Sequence, residues 1–472
     1  MKFRKITFPF LIFIAVIIVM AALPLAILYT YAASRPATYS TSYYAALPVK
    51  YDRLNSVKSG KIVVIGGSSV AFGIDSKLVE KELGMPCVNF GLYAAFGLKP
   101  MLDLSEDAIG KGDIVIIAPE FSSQMYSDYV GYDYLLQACE GRTDMALDLG
   151  ISYAGGMISE LSSYVEEAKK VRSLGGLKVS GVYALSSFDK YGDIVYERDV
   201  NVMDGMFSAD NLPEINESLV TDAFVSLVNE YAKKAKAKGA SVYFSFCPLN
   251  ALSAESIPQE DIEAFLEKLE QELDVEIIGS LDDHMLDAGY FYDSNFHTNE
   301  AGTIFNTVLL INDLKRVAMD MTVTMTEIPE PPAVETEMVI ASGVEGGFNY
   351  IITSSGVTIT GLDDNAMKSE KLEIPSQIEN YVVIKIDAQA FADCSAKEIN
   401  LPDTITVLSA GIFNGAKSLE KVVISSRSLP EVGNGLMTGA SDKVRLFVPS
   451  GLYSNYVTDY FWGAYAEYID QY

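Results

Sequence analysis

Residues 61–76 read KIVVIGGSSVAFGIDS, and they constrain the fold more than any other stretch of the chain. The apolar, β-branched run Lys61–Ile65 is typical of a parallel strand that is covered on both faces. Gly66 and Gly67 let the backbone turn sharply where this strand ends. The stretch therefore predicts the first strand of an open α/β sheet, with a tight turn at its carboxyl end.

Two serines, Ser68 and Ser69, follow this turn. A helix is predicted shortly after them over Ser76–Leu83, with Asp75 or Ser76 as its N-terminal cap. Ligands of open α/β sheets bind at the carboxyl ends of the strands. A serine held at such a place is either a turn residue or a nucleophile, and the rest of the chain has to supply the base.

Strand and helix patterns alternate along the following part of the chain. Four further strands are predicted at Pro86–Phe90, Asp113–Ala118, Ser241–Phe246 and Val275–Gly279. Helical periodicity is found at Leu98–Ile109, at Asp222–Lys238, at Gln259–Leu273 and from about Asn299 to Val317. This alternation predicts an α/β domain over residues 61–324, in which a parallel sheet lies between two layers of helices.

A long insertion, from about residue 122 to residue 219, separates the third and fourth predicted strands. It is rich in tyrosine near its start and contains a helical stretch over Gly155–Ser173. Connections of this length often form a lid or a substrate surface. A structural elaboration explains the same composition, and the sequence alone does not separate the two interpretations.

Charge and cysteine content narrow the class of protein. The formal net charge of the chain is −28, whereas nucleic acid requires a basic surface, so nucleic acid is not an expected partner. An acidic surface suits a protein outside the cell. The four cysteines (Cys87, Cys139, Cys247 and Cys394) lack metal-ligand spacing and are interpreted as small buried hydrophobic residues.

Residues 1–34 are interpreted as a membrane anchor. Three of the first five residues are basic, and an apolar run follows from about residue 6 to residue 31. This run is long enough for a spanning helix, which needs roughly 20 residues. By the positive-inside rule the amino terminus is cytoplasmic, and the bulk of a single-pass protein is extracellular. A cleaved signal peptide with its cleavage site near Ser34 is the alternative, and residues 35–60 are interpreted as a spacer.

The composition changes over residues 325–347, where the proline-rich, acidic phrase TEIPEPPAVETE is typical of a linker. The following residues, 348–472, contain an internal repeat. The phrase AQAFADC returns as SAGIFNG, so that Phe391 recurs as Phe413. The resulting period of about 22 residues lies in the range of leucine-rich repeats.

These repeats resemble the BspA type of leucine-rich repeat. The shared pattern is an alanine-phenylalanine pair, a Cys or Ala three residues after the phenylalanine, and an Ile/Leu-Pro-Asp/Ser turn such as Leu401-Pro402-Asp403. Extracellular repeats of that family commonly serve adhesion or surface binding, which implies a protein or surface ligand. A capping or spacer domain without a ligand is the alternative.

Only two residues are candidates for a histidine base, because the chain has two histidines, His284 and His297. Histidine is the usual base, since its ordinary pKa is near neutral. His297 lies between the last predicted strand and the last predicted helix, and Asp293 precedes it by four positions. On one loop this spacing lets the carboxylate orient the imidazole toward a distant serine. His284 is interpreted as a surface histidine.

Both stretches resemble motifs of the SGNH (GDSL-like) hydrolase and acyltransferase superfamily, in its membrane-anchored branch with a Gly-Gly-Ser motif. The phrase GGS at residues 66–68 matches the nucleophile motif and makes Ser68 the nucleophile, whereas a placement one residue later makes it Ser69. Asp293 and His297 match the motif of the catalytic Asp and His, with one more residue between them than in the common Asp-x-x-His form. The resemblance implies a catalytic triad of serine, histidine and aspartate.

The same superfamily stabilises the oxyanion with the amide of the nucleophilic serine, a glycine of a second motif and an asparagine of a third. The resemblance assigns the first two roles to Ser68 and Gly91, because Asn89-Phe90-Gly91 matches the second motif. At the third position this chain has Glu120. A carboxylate there would repel an oxyanion unless it is protonated or turned away. A transferase and an inactive site therefore stay open beside a hydrolase.

The combined interpretation is a membrane-anchored extracellular protein with an SGNH-like, three-layer α/β domain and a small leucine-rich-repeat domain. The resemblance implies a serine esterase or O-acyltransferase that acts on acyl esters of a cell-surface polysaccharide or cell-wall glycan, without a cofactor or a metal. The alternative is a catalytically silent surface-binding or adhesion protein whose repeats carry the function.

Overall fold

The structure is a computed structural model of the 472-residue chain. It describes residues 37–58, 60–177, 179–209, 211–318, 328–332, 339–433, 435–459 and 461–472. The predicted anchor at residues 1–34 lies outside this part of the chain, as do residues 325–327 and 333–338 of the predicted linker. Among the described residues, no helix combines the length and the apolar character that crossing a bilayer requires.

A sheet of five parallel strands forms the centre of the α/β domain, in the order β2-β1-β3-β4-β6. The strands of this domain, including two short pairs beside the main sheet, are β1 Ile62–Gly66, β2 Cys87–Gly91, β3 Ile114–Ala118, β4 Ser241–Phe244, β5 Leu249–Asn250, β6 Glu276–Ile277, β7 Met285–Leu286, β8 Phe291–Ser294 and β9 His297–Thr298. Gly66 pairs with Gly91 on one side and with Ala118 on the other. The carboxyl ends of β1, β2 and β3 therefore meet at one edge of the sheet.

Both faces of this sheet are covered, as the continuous apolar runs predict. All five residues of β1 are buried, and they alternate between two cores. Val63 and Ile65 belong to the larger core, and Ile62 and Val64 belong to a smaller one on the opposite face. The helices of the domain and its insertion are α1 Ala46–Ser56, α2 Ser68–Gly73, α3 Ser76–Leu83, α4 Leu98–Glu106, α5 Tyr132–Ala138, α6 Thr143–Leu149, α7 Ile151–Ser173, α8 Asp222–Ala237, α9 Ala251–Ala254, α10 Gln259–Glu272, α11 Leu281–His284 and α12 Glu300–Val317.

Side-chain caps define the ends of two helices that the sequence predicts. The Asp75 carboxylate accepts a hydrogen bond from the Leu78 amide at 2.9 Å and starts α3. The Asn299 side chain accepts one from the Gly302 amide at 2.9 Å and starts α12. The amide group of Asn299 also donates to the Gly289 carbonyl at 2.7 Å. The cap therefore ties α12 to the loop that precedes β8.

Within residues 35–60, predicted as a spacer, helix α1 is part of the α/β domain. Helix α1 buries Leu47 and Leu54 in the larger core. Lys50 of the same helix is also fully buried, and its ammonium group donates to the Gly192 carbonyl at 2.5 Å. The prediction was wrong for two reasons. The charged residues in ALPVKYDRLNS obscure an apolar helical face. The Gly192 carbonyl, which makes the burial of Lys50 tolerable, lies in the distant insertion.

The insertion returns to the carboxyl edge of the sheet. After helices α5 to α7, its later part is irregular and lies beside β8 and β9. Arg198 is buried there, and it donates to the carbonyls of Thr298 at 3.1 Å and Phe72 at 3.3 Å. The carboxylate of Asp193 accepts hydrogen bonds from the amide and the hydroxyl of Ser76, both at 2.8 Å. The insertion therefore forms part of the surroundings of the predicted site.

The C-terminal domain contains two rows of short parallel strands. Its strands are β10 Ala341–Glu345, β11 Phe348–Ile352, β12 Val357–Leu362, β13 Lys371–Glu373, β14 Gln377–Ile378, β15 Tyr381–Ile386, β16 Glu398–Leu401, β17 Val407–Leu408, β18 Lys421–Ile424, β19 Glu431–Val432, β20 Arg445–Val448 and β21 Ile469–Gln471, and helix α13 is Tyr453–Thr458. One row is β12-β15-β17-β19, and the other is β13-β16-β18-β20-β21. This arrangement is the stacking of repeats that a period of about 22 residues predicts.

The core of this domain repeats in the same way as its sequence. Phe391 and Phe413, the recurring pair, are both fully buried with ring centroids 6.2 Å apart. At its N-terminal end, β10 pairs antiparallel with β11. Strand β10 therefore lies inside residues 325–347, the stretch predicted as a linker.

Candidate active site

Ser68 lies at the carboxyl edge of the sheet, where it is the first residue of α2. Strand β1 ends at Gly66, and Gly67 makes the turn into the helix. A Cβ atom at Gly67 would lie 2.5 Å from Oε1 of Glu120, closer than side chains approach each other. A glycine in this turn therefore allows the serine and the Glu120 carboxyl group to occupy the same edge.

The three residues predicted as a triad are in direct contact. Ser68 Oγ lies 2.8 Å from Nε2 of His297, although the two residues are 229 positions apart in the chain. Nδ1 of His297 lies 2.8 Å from Oδ1 of Asp293. When Nδ1–H donates to this carboxylate, Nε2 is left to accept the proton of the serine. The arrangement can thus activate Ser68 as a nucleophile.

The β8–β9 hairpin explains how an Asp-x-x-x-His spacing brings the two side chains together. Asp293 lies on β8 and His297 is the first residue of β9, and Ser294 pairs with His297 across the hairpin. The residue by which this spacing exceeds the common Asp-x-x-His form lies in the tight turn between the two strands. Asp293 is therefore adjacent to the pairing partner of the histidine, and its carboxylate reaches the ring.

Two residues that support the histidine were missed by the sequence analysis. The ring of Phe72 stacks on the imidazole of His297, with centroids 4.0 Å apart and an angle of 5° between the planes. The hydroxyl of Tyr183 donates to Oδ2 of Asp293 at 2.7 Å and lies 3.2 Å from Nδ1 of His297. Phe72 lies in the AFGIDS phrase of the first motif. Tyr183 comes from the insertion, where it is one of many tyrosines and carries no sequence signal of its own.

The alternative nucleophile, Ser69, has a different environment. Its hydroxyl is fully buried, and the hydroxyl that contacts His297 belongs to Ser68. The backbone amide of Ser69 donates to Oε1 of Glu120 at 2.6 Å. The structure thus brings Ser68 to the predicted base and uses the amide of Ser69 to hold a carboxyl group beside it.

Glu120, which stands at the third oxyanion position, is directed at the nucleophile. Its Oε1 atom lies 2.9 Å from Ser68 Oγ, and only 6% of the residue is exposed. Cys247 lies nearby, and burial raises the pKa of its thiol well above the usual value. An oxyanion tolerates this carboxyl group only if the group is protonated or turned away. The contact with Ser68 shows that it is not turned away.

Gly91 ends β2 beside Gly66, at the same edge of the sheet. A Cβ atom at Gly91 would lie 2.4 Å from Cβ of Val70, so only glycine allows α2 to pack this closely on β2. The amide of Gly91 is directed at Oδ1 of Asn89, at 3.3 Å. The close packing explains why the position holds glycine, and the oxyanion role of Gly91 stays a prediction.

A buried polar network lies behind Gly91. The ammonium group of Lys50 donates to the backbone carbonyl and to Oδ1 of Asn89, both at 3.2 Å, and Nδ2 of Asn89 donates to Asp193 at 3.1 Å. Burial lowers the pKa of Lys50 to about 7 and raises the pKa of Asp193. The network joins α1, β2 and the insertion, and so it fixes the strand end that carries Gly91.

His284 corrects a prediction, because it is buried and not a surface residue. Only 1% of it is exposed, and its Nδ1 atom lies 3.2 Å from Oδ1 of Asn306. Burial lowers its pKa from 6.5 to about 4. His284 is thus a neutral core residue beneath the sheet, and it is separate from the Ser68 site.

Metal ligation has no candidate in the described part of the chain, where no group of three or more His, Cys, Asp or Glu residues is arranged to hold an ion. Cys87, Cys247 and Cys394 are buried free thiols, as predicted, whereas the fourth cysteine, Cys139, is only partly buried. Burial raises the pKa of the thiol of Cys394. These three cysteines are small core residues.

The C-terminal domain matches a known family model. The BspA type leucine rich repeat region is found in six copies over residues 364–460, which confirms the resemblance predicted for the repeats. Among curated proteins, none matches the chain. A crystal structure of protein YXIM from Bacillus subtilis aligns with 55% of this chain and 58% of its own length, at 12% identity and a TM-score of 0.28.

Proposed function

We propose that this protein is a serine esterase or O-acyltransferase of SGNH type that acts on acyl esters of a cell-surface glycan. One observation carries the proposal: Ser68, His297 and Asp293 form a continuous hydrogen-bonded chain at the carboxyl edge of a parallel sheet, with both links at 2.8 Å. In open α/β sheets this edge is where ligands bind. The motif resemblance supplies the reaction class, and the predicted anchor in residues 1–34 supplies the cell-surface location.

The proposed reaction proceeds in two steps. Ser68 Oγ attacks the acyl carbonyl while its proton moves to Nε2 of His297, and the carboxylate of Asp293 stabilises the imidazolium that results. The tetrahedral intermediate collapses when the leaving alcohol takes the proton from Nε2, which produces an acyl-serine. Water or a sugar hydroxyl then gives its proton to His297 and attacks the acyl-serine. Release of Ser68 with this proton completes the cycle.

Two neighbours keep the histidine in the geometry that this reaction needs. Stacking on Phe72 fixes the plane of the imidazole, and the Tyr183 hydroxyl holds the second oxygen of Asp293. Both restrict the rotation of groups that have to be aligned before the attack. Residues of the insertion therefore belong to the proposed site, which favours a functional role for at least its later part.

A second candidate function rests on the repeat domain. The family match over residues 364–460 supports a role in surface binding or adhesion, with a glycan or a protein as ligand. In an enzyme the repeats would hold the α/β domain near its polymeric substrate. In the silent alternative they would carry the whole function.

Labelling with a fluorescent fluorophosphonate distinguishes these two candidates. The full chain in membranes should be labelled, because an activated serine is phosphonylated, whereas a serine without a base reacts poorly. Ser68→Ala and His297→Ala should each abolish the signal. Ser69→Ala is the matched control and should keep it. A wild-type chain that is folded but not labelled would leave surface binding as the function.

A further inference from the structure

The contacts of Ser68, taken together with the contact between His297 and Asp293, cannot be satisfied with the ordinary number of protons. Its Oγ atom carries a single proton, yet it lies 2.8 Å from Nε2 of His297 and 2.9 Å from Oε1 of Glu120. A neutral imidazole whose Nδ1–H points to Asp293 presents only a lone pair at Nε2, and an ionised carboxylate presents only lone pairs. One of the two contacts would then place two lone pairs face to face.

If Nδ1–H of His297 still donates to Asp293, an additional proton resolves this conflict in two ways. If Ser68 donates to Glu120, then Nε2 of His297 carries a proton and donates to Oγ. If Ser68 donates to His297, then Oε1 of Glu120 carries the proton and donates to Oγ. The two arrangements contain the same number of protons, and only the second leaves His297 able to act as a base.

The surroundings of Glu120 favour its neutral form in this second arrangement. The side chain is almost completely buried, and within the described residues no lysine or arginine forms an ion pair with it. The groups that face it are the Ser69 amide and Ser68 hydroxyl from α2, the Cys247 thiol beyond β4, and, through Ser68, His297 from the hairpin. Burial of a carboxylate without a cation is costly, whereas a neutral acid is tolerated.

We propose that Glu120 is a catalytic residue that acts as a neutral acid and donates a hydrogen bond to the oxyanion. In its protonated form it takes the place of the asparagine that donates to the oxyanion in the superfamily that the motifs resemble. The inference rests on the proposed function above. A carboxylic acid that stays neutral in an apolar site is an effective donor to a developing oxyanion. Its place beside Oγ suits this role, because the carbonyl oxygen under attack becomes bonded to the same carbon as Oγ.

The proton balance of the step is simple. The bond from Ser68 Oγ to the acyl carbon forms as the carbonyl π bond opens to an oxyanion, and the serine proton moves to Nε2 of His297. The O–H of Glu120, which points at Oγ in the resting state, turns to the oxyanion and keeps its proton. When the carbonyl re-forms, the leaving alkoxide takes the proton from His297, and Glu120 returns to its starting contact.

The pH dependence of Glu120→Gln and Glu120→Ala tests this role on the full-length chain, with p-nitrophenyl acetate and a fluorophosphonate as probes. Glu120→Ala should lower kcat/KM by about 10²- to 10³-fold, which is typical for the loss of one oxyanion donor. Glu120→Gln should lose less, because its amide still donates. The wild-type rate should fall at alkaline pH as the shared proton is lost, and this fall should be absent in Glu120→Gln.

Three results overturn the assignment. If Glu120→Gln is as inactive as Glu120→Ala at every pH, a negative charge is required and the neutral acid is wrong. If Glu120→Ala keeps the wild-type rate, Glu120 has no part in the reaction. If the wild-type chain reacts with neither probe, the proposed function itself fails, and that result is distinct from the other two. Glu106→Gln, on the surface, is the control and should keep the wild-type pH profile, and thermal unfolding verifies that each variant is folded.

Discussion

Two buried carboxyl groups flank strand β3, one at each end of the sheet. Asp113 precedes the strand, and its two oxygens accept hydrogen bonds from the amides of Gly60, Lys61 and Gly110 and from the Lys61 ammonium group at 2.8 Å. Glu120 follows the strand, and its Oε1 atom contacts the Ser69 amide and a hydroxyl. Within the described residues, only the first of the two has a cationic partner.

The difference separates a structural carboxylate from one that is available for chemistry. Asp113 is paired with the Lys61 ammonium group, both of its oxygens accept hydrogen bonds, and it ties the amino ends of β1 and β3 together. Glu120 lies against the Ser68 hydroxyl, and within the described residues no cation is paired with it. Unsatisfied arrangements of this kind persist mainly where a function requires them.

The largest effect that we expect concerns the end of the sheet at which Glu120 contacts the proposed nucleophile. Ser68→Ala and His297→Ala should each lower the hydrolysis of an acetyl ester by roughly 10⁴- to 10⁶-fold, as for members of other triads. The measurement is kcat/KM on the purified full-length chain. Ser69→Ala should stay within about tenfold of wild type. If Ser69→Ala is the inactive variant instead, the nucleophile has been assigned one residue too early.

The second prediction concerns the opposite end of the sheet, where Asp113 is paired with Lys61. Lys61→Met leaves Asp113 buried without its cation, and it should lower the free energy of unfolding by about 3–5 kcal/mol. Lys234→Met removes an exposed ion pair with Glu106 and should cost less than about 1 kcal/mol. Urea unfolding of the two variants gives both values, and equal costs would show that the Lys61 pair is not special. The rate per folded molecule should stay at the wild-type value in both.

A third prediction uses pH to examine His284, a buried histidine that forms no ion pair within the described residues. Burial lowers the pKa of His284 from 6.5 to about 4, so between these values the unfolded chain binds a proton that the folded chain does not. Stability should therefore be complete above about pH 6.5 and fall by on the order of 3 kcal/mol as the pH is lowered to about 4. In urea unfolding, His284→Gln should show a smaller slope with pH. An unchanged slope would mean that His284 is protonated in the folded state.

The smallest effect concerns the support of Asp293. Tyr183→Phe removes the hydroxyl that donates to Oδ2 and should lower kcat by about tenfold with little change in KM, since one hydrogen bond to a charged group is lost. A change in KM alone would assign Tyr183 to substrate binding.

Those parts of the fold whose signal is local could be predicted from the sequence. The five strands of the sheet are short apolar runs bounded by turn residues, and the helix starts at Asp75 and Asn299 carry cap residues. The same applies to Ser68 and His297, since a glycine turn after a strand and one of only two histidines left few choices. The recurring phenylalanines likewise identified the repeats.

What could not be predicted depends on partners far apart in the chain. The segment of α1 was predicted as a spacer because it contains a lysine, Lys50. The partners that allow Lys50 to be buried, Asn89 and Gly192, are known only from the fold. Tyr183 reaches Asp293 from the insertion, and no pattern distinguishes it from neighbouring tyrosines. The burial of His284 has the same origin, since the residues that enclose it come from separate strands and helices.

Direct observation of the acyl-serine tests the central claim. The full-length chain is treated with p-nitrophenyl acetate, quenched in acid, digested and mapped by mass spectrometry. We predict one added acetyl group on Ser68 in the wild-type chain, and none on this residue in His297→Ala. An acetyl group on Ser69, or no acetylated serine in a folded wild-type chain, would contradict the assignment of Ser68 as the nucleophile.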